Sequence, residues 1–125
     1  MSDCIFCKII NKEIPGKIVY EDDECMAFLD LSQATYGHTL VIPKKHYANI
    51  LEVDDETLAH VMKIVKKLDA KGVNVLTNTN EVAGQTVHHF HIHILPRYDE
   101  NELKIEFTDH SNDVDLDEVY KKITK

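Results

Sequence analysis

The sequence predicts an α+β fold, an antiparallel sheet of about five strands with one long helix packed on it. Two observations carry this expectation. Short runs rich in β-branched and apolar residues recur at Lys17–Tyr20, Cys25–Leu29, Thr39–Ile42, Val73–Thr77 and Val87–Leu95, the first two close enough to form a hairpin. One longer stretch, beginning at Asp54, has apolar residues at the three-and-four spacing of an amphipathic helix.

Taken in order, Cys4–Asn11 places Ile5, Phe6, Ile9 and Ile10 in a short helical pattern, with Asp3 as the expected N-cap and Pro15-Gly16 as the turn beyond. The hairpin strands flank the acidic turn Glu21-Asp22-Asp23-Glu24, and residues 30–38 read as a loop. Thr39–Ile42 is an unbroken run expected to be buried on both faces, with Pro43 near its end. The long helix opens at an Asp54 cap stapled by Val53 and Leu58. Leu58, Val61, Met62, Val65 and Leu68 form its buried stripe, Lys63, Lys66, Lys67 and Lys71 face water or the C-terminus, and Gly72 is the expected terminator. Val73–Thr77 is the fourth strand, Asn78–Thr86 a polar loop containing Gly84, and Val87–Leu95 the fifth strand, stopped by Pro96. A weaker C-terminal helix has Asp115 as cap, Glu118 at N3, and Leu116, Val119, Tyr120 and Ile123 on its apolar side.

At 125 residues the chain has the length of one domain, with a core over 4–98 and an acidic extension over 99–125. Apolar residues at 43% and charged residues at 29% exclude a disordered or fibrous chain. A formal charge of −8 argues against a general nucleic-acid or anionic-membrane binder, and leaves room for one small phosphate compound in a local pocket. The extension alone holds nine acidic and four basic side chains, and the only arginine, Arg97, stands just before it. No window approaches the ~18 apolar residues of a membrane span, and Met1-Ser2-Asp3-Cys4 does not open a secretory signal. Three cysteines cannot all pair, so a reducing, cytoplasmic setting is expected.

The sharpest feature is Val87-His88-His89-Phe90-His91-Ile92-His93-Ile94-Leu95. On a strand, His89, His91 and His93 point one way while Phe90, Ile92 and Ile94 point the other. Imidazole has no strand propensity that would explain such a row. Two chemistries use it: a zinc site, or phosphoryl or nucleotidyl transfer with one imidazole as nucleophile and its neighbours contacting phosphate oxygens and the leaving group. Gly84-Gln85-Thr86, leading into the row, offers backbone amides, a side-chain amide and a hydroxyl to a phosphate.

His89-Phe90-His91-Ile92-His93-Ile94-Leu95 resembles the signature of the histidine triad family, His-φ-His-φ-His-φ-φ with φ apolar. Phe6-Cys7-Lys8-Ile9-Ile10, Ala27-Phe28-Leu29-Asp30, Gly37-His38-Thr39-Leu40-Val41-Ile42-Pro43 and Ala83-Gly84-Gln85-Thr86-Val87 are similar to further family blocks in the same order. The likeness is to the branch that hydrolyses purine nucleoside 5′-phosphoramidates such as adenosine 5′-phosphoramidate. It implies a HIT-like fold with short terminal helices, a homodimer, no organic cofactor and a covalent nucleotidyl-histidine intermediate. By matching motif, His91 is the implied nucleophile, with His93 and His38 on the phosphate and leaving-group side. Asp30 is the implied ribose-gripping acid, and Ile5, Phe6, Ile9, Phe28 and Leu31 the apolar slot for an AMP-like purine nucleotide. Asn78, Gly84, Gln85 and Thr86 are implied at the phosphates. Thr79-Asn80-Glu81-Val82 departs from the commoner family loop, which bears on the leaving group.

Cys4-Ile5-Phe6-Cys7 is a Cys-x₂-Cys pair that, read alone, fits a redox pair, a metal half-site or two small buried hydrophobes. Some branches of the family carry a structural zinc, and the matching ligands are Cys4, Cys7, His46 and His89; Cys25 is expected to be buried packing. The rival activities are cleavage of dinucleoside polyphosphates through the same nucleophile, a metal-dependent hydrolase with zinc on His89, His91 and His93, and a non-catalytic purine-nucleotide-binding dimer.

Overall fold

A computed structural model describes residues 3–125. Met1 and Ser2, on which part of the reading of the N-terminus rests, lie outside the described residues. The elements are α1 (Ile5–Ile10), β1 (Ile18–Glu21), β2 (Cys25–Leu29), β3 (Thr39–Pro43), α2 (Asp55–Val65), β4 (Gly72–Leu76), β5 (Ile92–Arg97) and α3 (Leu116–Thr124). The five strands form one antiparallel sheet in the order β1-β2-β3-β5-β4, so the expected α+β fold class holds.

Alternation along the strands divides the apolar side chains between the two faces of the sheet. Cys25, Ala27, Val41, Phe90, Ile92 and Ile94 meet Val61, Ile64 and Val65 of α2 on one face. Met26, Phe28, Leu40 and Ile42 meet Phe6 and Ile9 of α1 on the other. β3 is buried along its whole length, and Cys25 is fully buried packing as expected. Asp54 caps α2 by accepting the Thr57 amide at 3.2 Å, and the stripe reaches the core through Val61, Ile64 and Val65.

Four local expectations are corrected. The cap of α1 is Cys4, whose Sγ accepts the Cys7 amide at 3.3 Å, and not Asp3. α2 ends at Val65 rather than running to Gly72. The Lys67 and Leu68 amides bond three residues back, tightening the last turn, and Leu68 packs on the core from outside the helix. Gly72 instead opens β4. Residues 87–91 carry no strand pairing, because the Phe90 amide donates to the Tyr47 carbonyl at 2.6 Å instead of to a ladder. Pro96 lies within β5 opposite Val73 and does not stop it. β3 pairs with β5 only over Ile92–Ile94, so at Pro96 one flank of the strand has no ladder that needs its missing N–H.

The turn between β1 and β2 is tied to α2 by Asp22. Its Oδ1 accepts the Glu24 and Cys25 amides at 2.9 and 2.8 Å, and its Oδ2 accepts from Tyr20 Oη at 2.8 Å and His60 Nε2 at 2.7 Å. Burial alone would raise the Asp22 pKa, but the His60, Tyr20 and backbone donors together hold it far below the usual carboxylate range. The stabilisation is therefore fully present above the unfolded carboxyl pKa, near 4, and is lost as pH falls toward the folded value. Asp22→Asn is expected to cost about 2 kcal/mol at pH 7 in urea unfolding, and the gap to wild type should narrow steadily below about pH 4. A gap unchanged down to pH 2 would show that the charge of Asp22 contributes nothing.

Candidate functional site

A cavity of about 360 Å³ opens on the α1 side of the sheet. Its apolar wall is Ile5, Phe6 and Ile9 from α1 with Phe28 from β2, and Phe6 meets Phe28 edge-on at 5.3 Å between ring centroids. Asp30 and Leu31 stand past the end of β2, and Asn78, Gly84 and Thr86 come from the loop after β4. His91 and His93 complete the lining. Leu31 is 98% exposed, so it is a rim residue more than a wall. Ile14, Pro15, Gly16 and Lys17 line the mouth and were not anticipated. They are adjacent in sequence and carry no motif; their one signal is the turn at Pro15-Gly16, which brings the chain back past α1. Lys17 and Asp30 are the charged residues of the lining.

The imidazoles are held in distinct states. His91 Nδ1 lies 2.7 Å from the His89 carbonyl, which can only accept, so this nitrogen carries the proton and Nε2 keeps its lone pair. The carbonyl of His91 in turn accepts from Thr77 Oγ1 at 2.8 Å, fixing the backbone beneath the ring. Phe6 packs edge-on against the same ring at 5.0 Å. Burial lowers the His91 pKa, so the imidazole is neutral and nucleophilic at pH 7.

His93 Nδ1 and His38 Nε2 are 2.9 Å apart, and Asp30 Oδ2 is 3.5 Å from His38 Nε2. His38 Nδ1 lies between an acceptor, the Ser32 carbonyl at 3.0 Å, and a donor, the Ala34 amide at 3.2 Å. Either tautomer of His38 is thus satisfied. With Nδ1 accepting from Ala34, Nε2–H donates to His93 Nδ1 and leaves an N–H on His93 Nε2 for a phosphate oxygen or a departing nitrogen. Burial, reinforced by His91 and His38, takes the His93 pKa down to about 4. Asp30 Oδ1 accepts the Ser32 amide at 2.8 Å, a turn contact that orients the carboxylate at the cavity edge.

Gln85 does not line the cavity. Its amide donates to the Ala48 and Val87 carbonyls at 2.7 and 3.1 Å, and its Oε1 accepts the Asn80 amide at 2.7 Å. It pins the 78–87 loop to the segment before α2. Gly84, at φ 94°, sits in the left-handed region that favours glycine, beside the Asn78 side chain.

The first histidine of the row leaves this group. His89 Nε2 donates to the Pro43 carbonyl at 2.8 Å, so its bare Nδ1 faces Cys4 Sγ at 3.4 Å and Cys7 Sγ at 3.5 Å. His46 Nδ1 lies 3.4 Å from Cys7 Sγ, and the four ligand atoms are all within 4.8 Å of one another. Zinc bonds of 2.0–2.3 Å in a tetrahedron separate sulfur from nitrogen by about 3.5 Å, so this donor set fits the ion. Burial and the neighbouring Cys4 push the Cys7 thiol up to about 11. Two thiolates side by side need a cation between them. Among the described residues, no ligand group joins His89, His91 and His93, so the three-histidine zinc hydrolase is not what this geometry builds.

A row of neutral imidazoles at an apolar slot, with a carboxylate at its edge, defines a nucleotide-binding hydrolase fold. The chain belongs to the HIT family: the HIT domain matches residues 11–100. A HIT-like protein of Methanocaldococcus jannaschii is 49% identical over 96% of this chain and 98% of its own length. The crystal structure of a HIT family protein from Bacillus anthracis superposes with a TM-score of 0.86 at 41% identity, covering 98% of this chain and 93% of the other. SMU.412c of Streptococcus mutans superposes equally well, with a TM-score of 0.86 at 44% identity over 98% and 82% of the two chains. Among the described residues no helix is long and apolar enough to cross a membrane.

Proposed function

We propose that the protein hydrolyses purine nucleoside 5′-phosphoramidates through a nucleotidyl-His91 intermediate. The observation that carries this is the fixed tautomer of His91, whose free Nε2 belongs to a buried ring lining a nucleotide-sized cavity. The purine enters the slot between Ile5, Phe6, Ile9 and Phe28, and Asp30 accepts from the ribose hydroxyls. Lys17, the Gly84 amide, Thr86 and Asn78 receive the phosphate. His91 Nε2 attacks the α-phosphorus and the P–N bond to the amine breaks. The amine nitrogen takes the electron pair and the proton that His93 holds on Nε2, while His38 donates to His93 Nδ1. Water then attacks the phosphorus and gives its proton to His93 Nε2, the bond between phosphorus and His91 Nε2 breaks with its electron pair staying on the nitrogen, and AMP leaves with both imidazoles restored.

Zinc on Cys4, Cys7, His46 and His89 is structural in this reading, since all four positions are protein ligands and none is left for substrate. Reduced thiols at that site suit a cytoplasmic setting. The protein works as a homodimer joined through the free edge of β4, where Val73, Val75 and Leu76 are each 44–46% exposed.

The test is intact mass spectrometry of acid-quenched protein after mixing with adenosine 5′-phosphoramidate. Wild type is expected to gain the mass of one adenylyl group, and His91→Ala to gain none. An adduct that persists in the variant would move the nucleophile elsewhere. Diadenosine polyphosphate in a parallel assay separates the rival activity, which would turn over that substrate faster.

A further inference from the structure

The stretch from Asp30 to His38 joins β2 to β3 and carries a side chain of the proposed chemistry at each end. Little apolar packing holds what lies between them. Of residues 31–36 only Thr35 is buried, while Leu31 and Tyr36 turn their side chains to water. Thr35 adds no polar anchor either, since its Oγ1 has no hydrogen-bond partner among the described residues. The base of the loop is closed by the Asp30 amide, which donates to the His38 carbonyl at 3.0 Å. Inside it, the widest brace is one side chain. Gln33 Nε2 donates to the Asp30 carbonyl at 2.6 Å and to the His38 carbonyl at 2.9 Å, and its Oε1 accepts the Gly37 amide at 2.9 Å. Gln33 thus reaches across its own loop and ties the middle to both ends.

The middle of the loop is what His38 rests against. His38 Nδ1 lies 3.0 Å from the Ser32 carbonyl and 3.2 Å from the Ala34 amide, which belong to the two residues flanking Gln33. Those two groups set the plane and direction of the ring, and its other nitrogen, Nε2, then meets His93 Nδ1 at 2.9 Å. A side chain bound at three points keeps Ser32 and Ala34 in place about the ring. Without it, an exposed loop with no apolar anchor is left to hold a buried histidine by that histidine's own contacts. Backbone loops so lightly packed are the ones that open most readily.

We propose that Gln33 is a positioning residue for the proton given to the leaving amine. It holds Ser32 and Ala34 about His38, and His38 holds His93 with its Nε2–H directed at the departing nitrogen. Gln33 itself touches neither the substrate nor the reacting atoms. The inference rests on the phosphoramidate reading above. Its effect belongs to the step that needs the proton, because a donor displaced by a fraction of an ångström loses rate steeply while the bound nucleotide is unaffected. The purine slot is built by α1 and β2, away from this loop. The Asp30 carboxylate keeps its own tie, the Ser32 amide two residues on at 2.8 Å, a local turn contact that does not pass through the Gln33 side chain.

The test compares Gln33→Ala and Gln33→Met with wild type in the full chain; methionine keeps the length of the side chain and removes its amide, so it serves if alanine unfolds the loop. Single-turnover rates are measured with two adenosine 5′-phosphoramidates, one of an alkyl amine and one of an electron-poor aromatic amine that departs without a proton. Both variants are expected to lose at least about tenfold with the alkyl amine and less than about threefold with the aromatic one, with the Kd for AMP within about twofold of wild type. On a His38→Ala background, Q33A is expected to change the alkyl-amine rate by less than about twofold, because the ring it supports is gone. Equal losses with the two amines, no loss at all, a rise in the AMP Kd that matches the loss of rate, or the same loss with and without His38 would each overturn the role of Gln33 and leave the proposed reaction standing. A wild type that gains no adenylyl mass on quenching overturns the reaction, and the role of Gln33 with it.

Discussion

Replacing His91 with alanine is expected to lower kcat for adenosine 5′-phosphoramidate by at least about a thousandfold while leaving the Kd for AMP within about threefold of wild type. The asymmetry follows from what each neighbour does. The slot is built by α1 and β2, and its rings meet one another without His91, as the Phe6–Phe28 contact shows. In the proposed reaction His91 would contribute a lone pair used only when the phosphorus is attacked, an interaction that deepens in the transition state and barely exists in the product complex. His93→Ala should show a weaker loss that depends on the leaving group. A good leaving group needs no proton, so a substrate with an electron-poor aromatic amine should suffer less than one with an alkyl amine. Steady-state kinetics with both amines, beside calorimetric titration of AMP, check these expectations. If H91A retained a tenth of wild-type kcat, His91 would not be the nucleophile.

The placement of much of the candidate site was legible because its residues lie in contiguous motifs whose geometry is set by strand periodicity. Phe90, Ile92 and Ile94 do enter the core under α2, and the imidazoles of His91 and His93 do turn to the opposite face, even though pairing begins only at Ile92. An extended backbone alternates its side chains whether or not a neighbour pairs with it. The termini of the elements were less legible because tertiary contacts decide them. Leu68 continues the helical stripe in sequence, but it packs on the core after the helix has ended, and no glycine or proline announces the stop. Pro96 looks like a terminator unless the length of β3 is known. The part played by Gln85 could not be read at all. A glutamine in a polar loop suggests a ligand contact, and only the fold reveals that the Ala48 carbonyl lies opposite and needs a donor. Lys17 carries no signal for the same reason: it is one exposed lysine among several until the turn at Pro15-Gly16 sets it in the cavity lining.

Elemental analysis is expected to find one zinc ion per chain in the native protein and none in the double variant C4S/C7S, whose Tm should be lower by more than about 5 °C. Three structural facts set the size of this effect. His89 is wholly buried, and its Nε2 is committed to the Pro43 carbonyl, so its other nitrogen is already the ligand-competent one. Burial takes the His89 pKa down to about 4, which keeps that nitrogen free for a metal at pH 7. The four candidate ligands come from three separated stretches, so a bound ion would fasten α1 and the segment after β3 to the backbone that leads into His91. Its removal is expected to loosen α1, which gives Ile5, Phe6 and Ile9 to the apolar wall of the cavity. Binding should therefore suffer with stability: the Kd for AMP is expected to rise severalfold in C4S/C7S, while saturating kcat falls less, because the His91–His89 carbonyl contact needs no metal. In wild type, activity should outlast brief chelation in the cold and disappear with unfolding, as expected of an ion that holds the fold together and takes no part in the reaction. A metal-free preparation as stable and as active as the zinc-loaded one would leave Cys4 and Cys7 as packing alone.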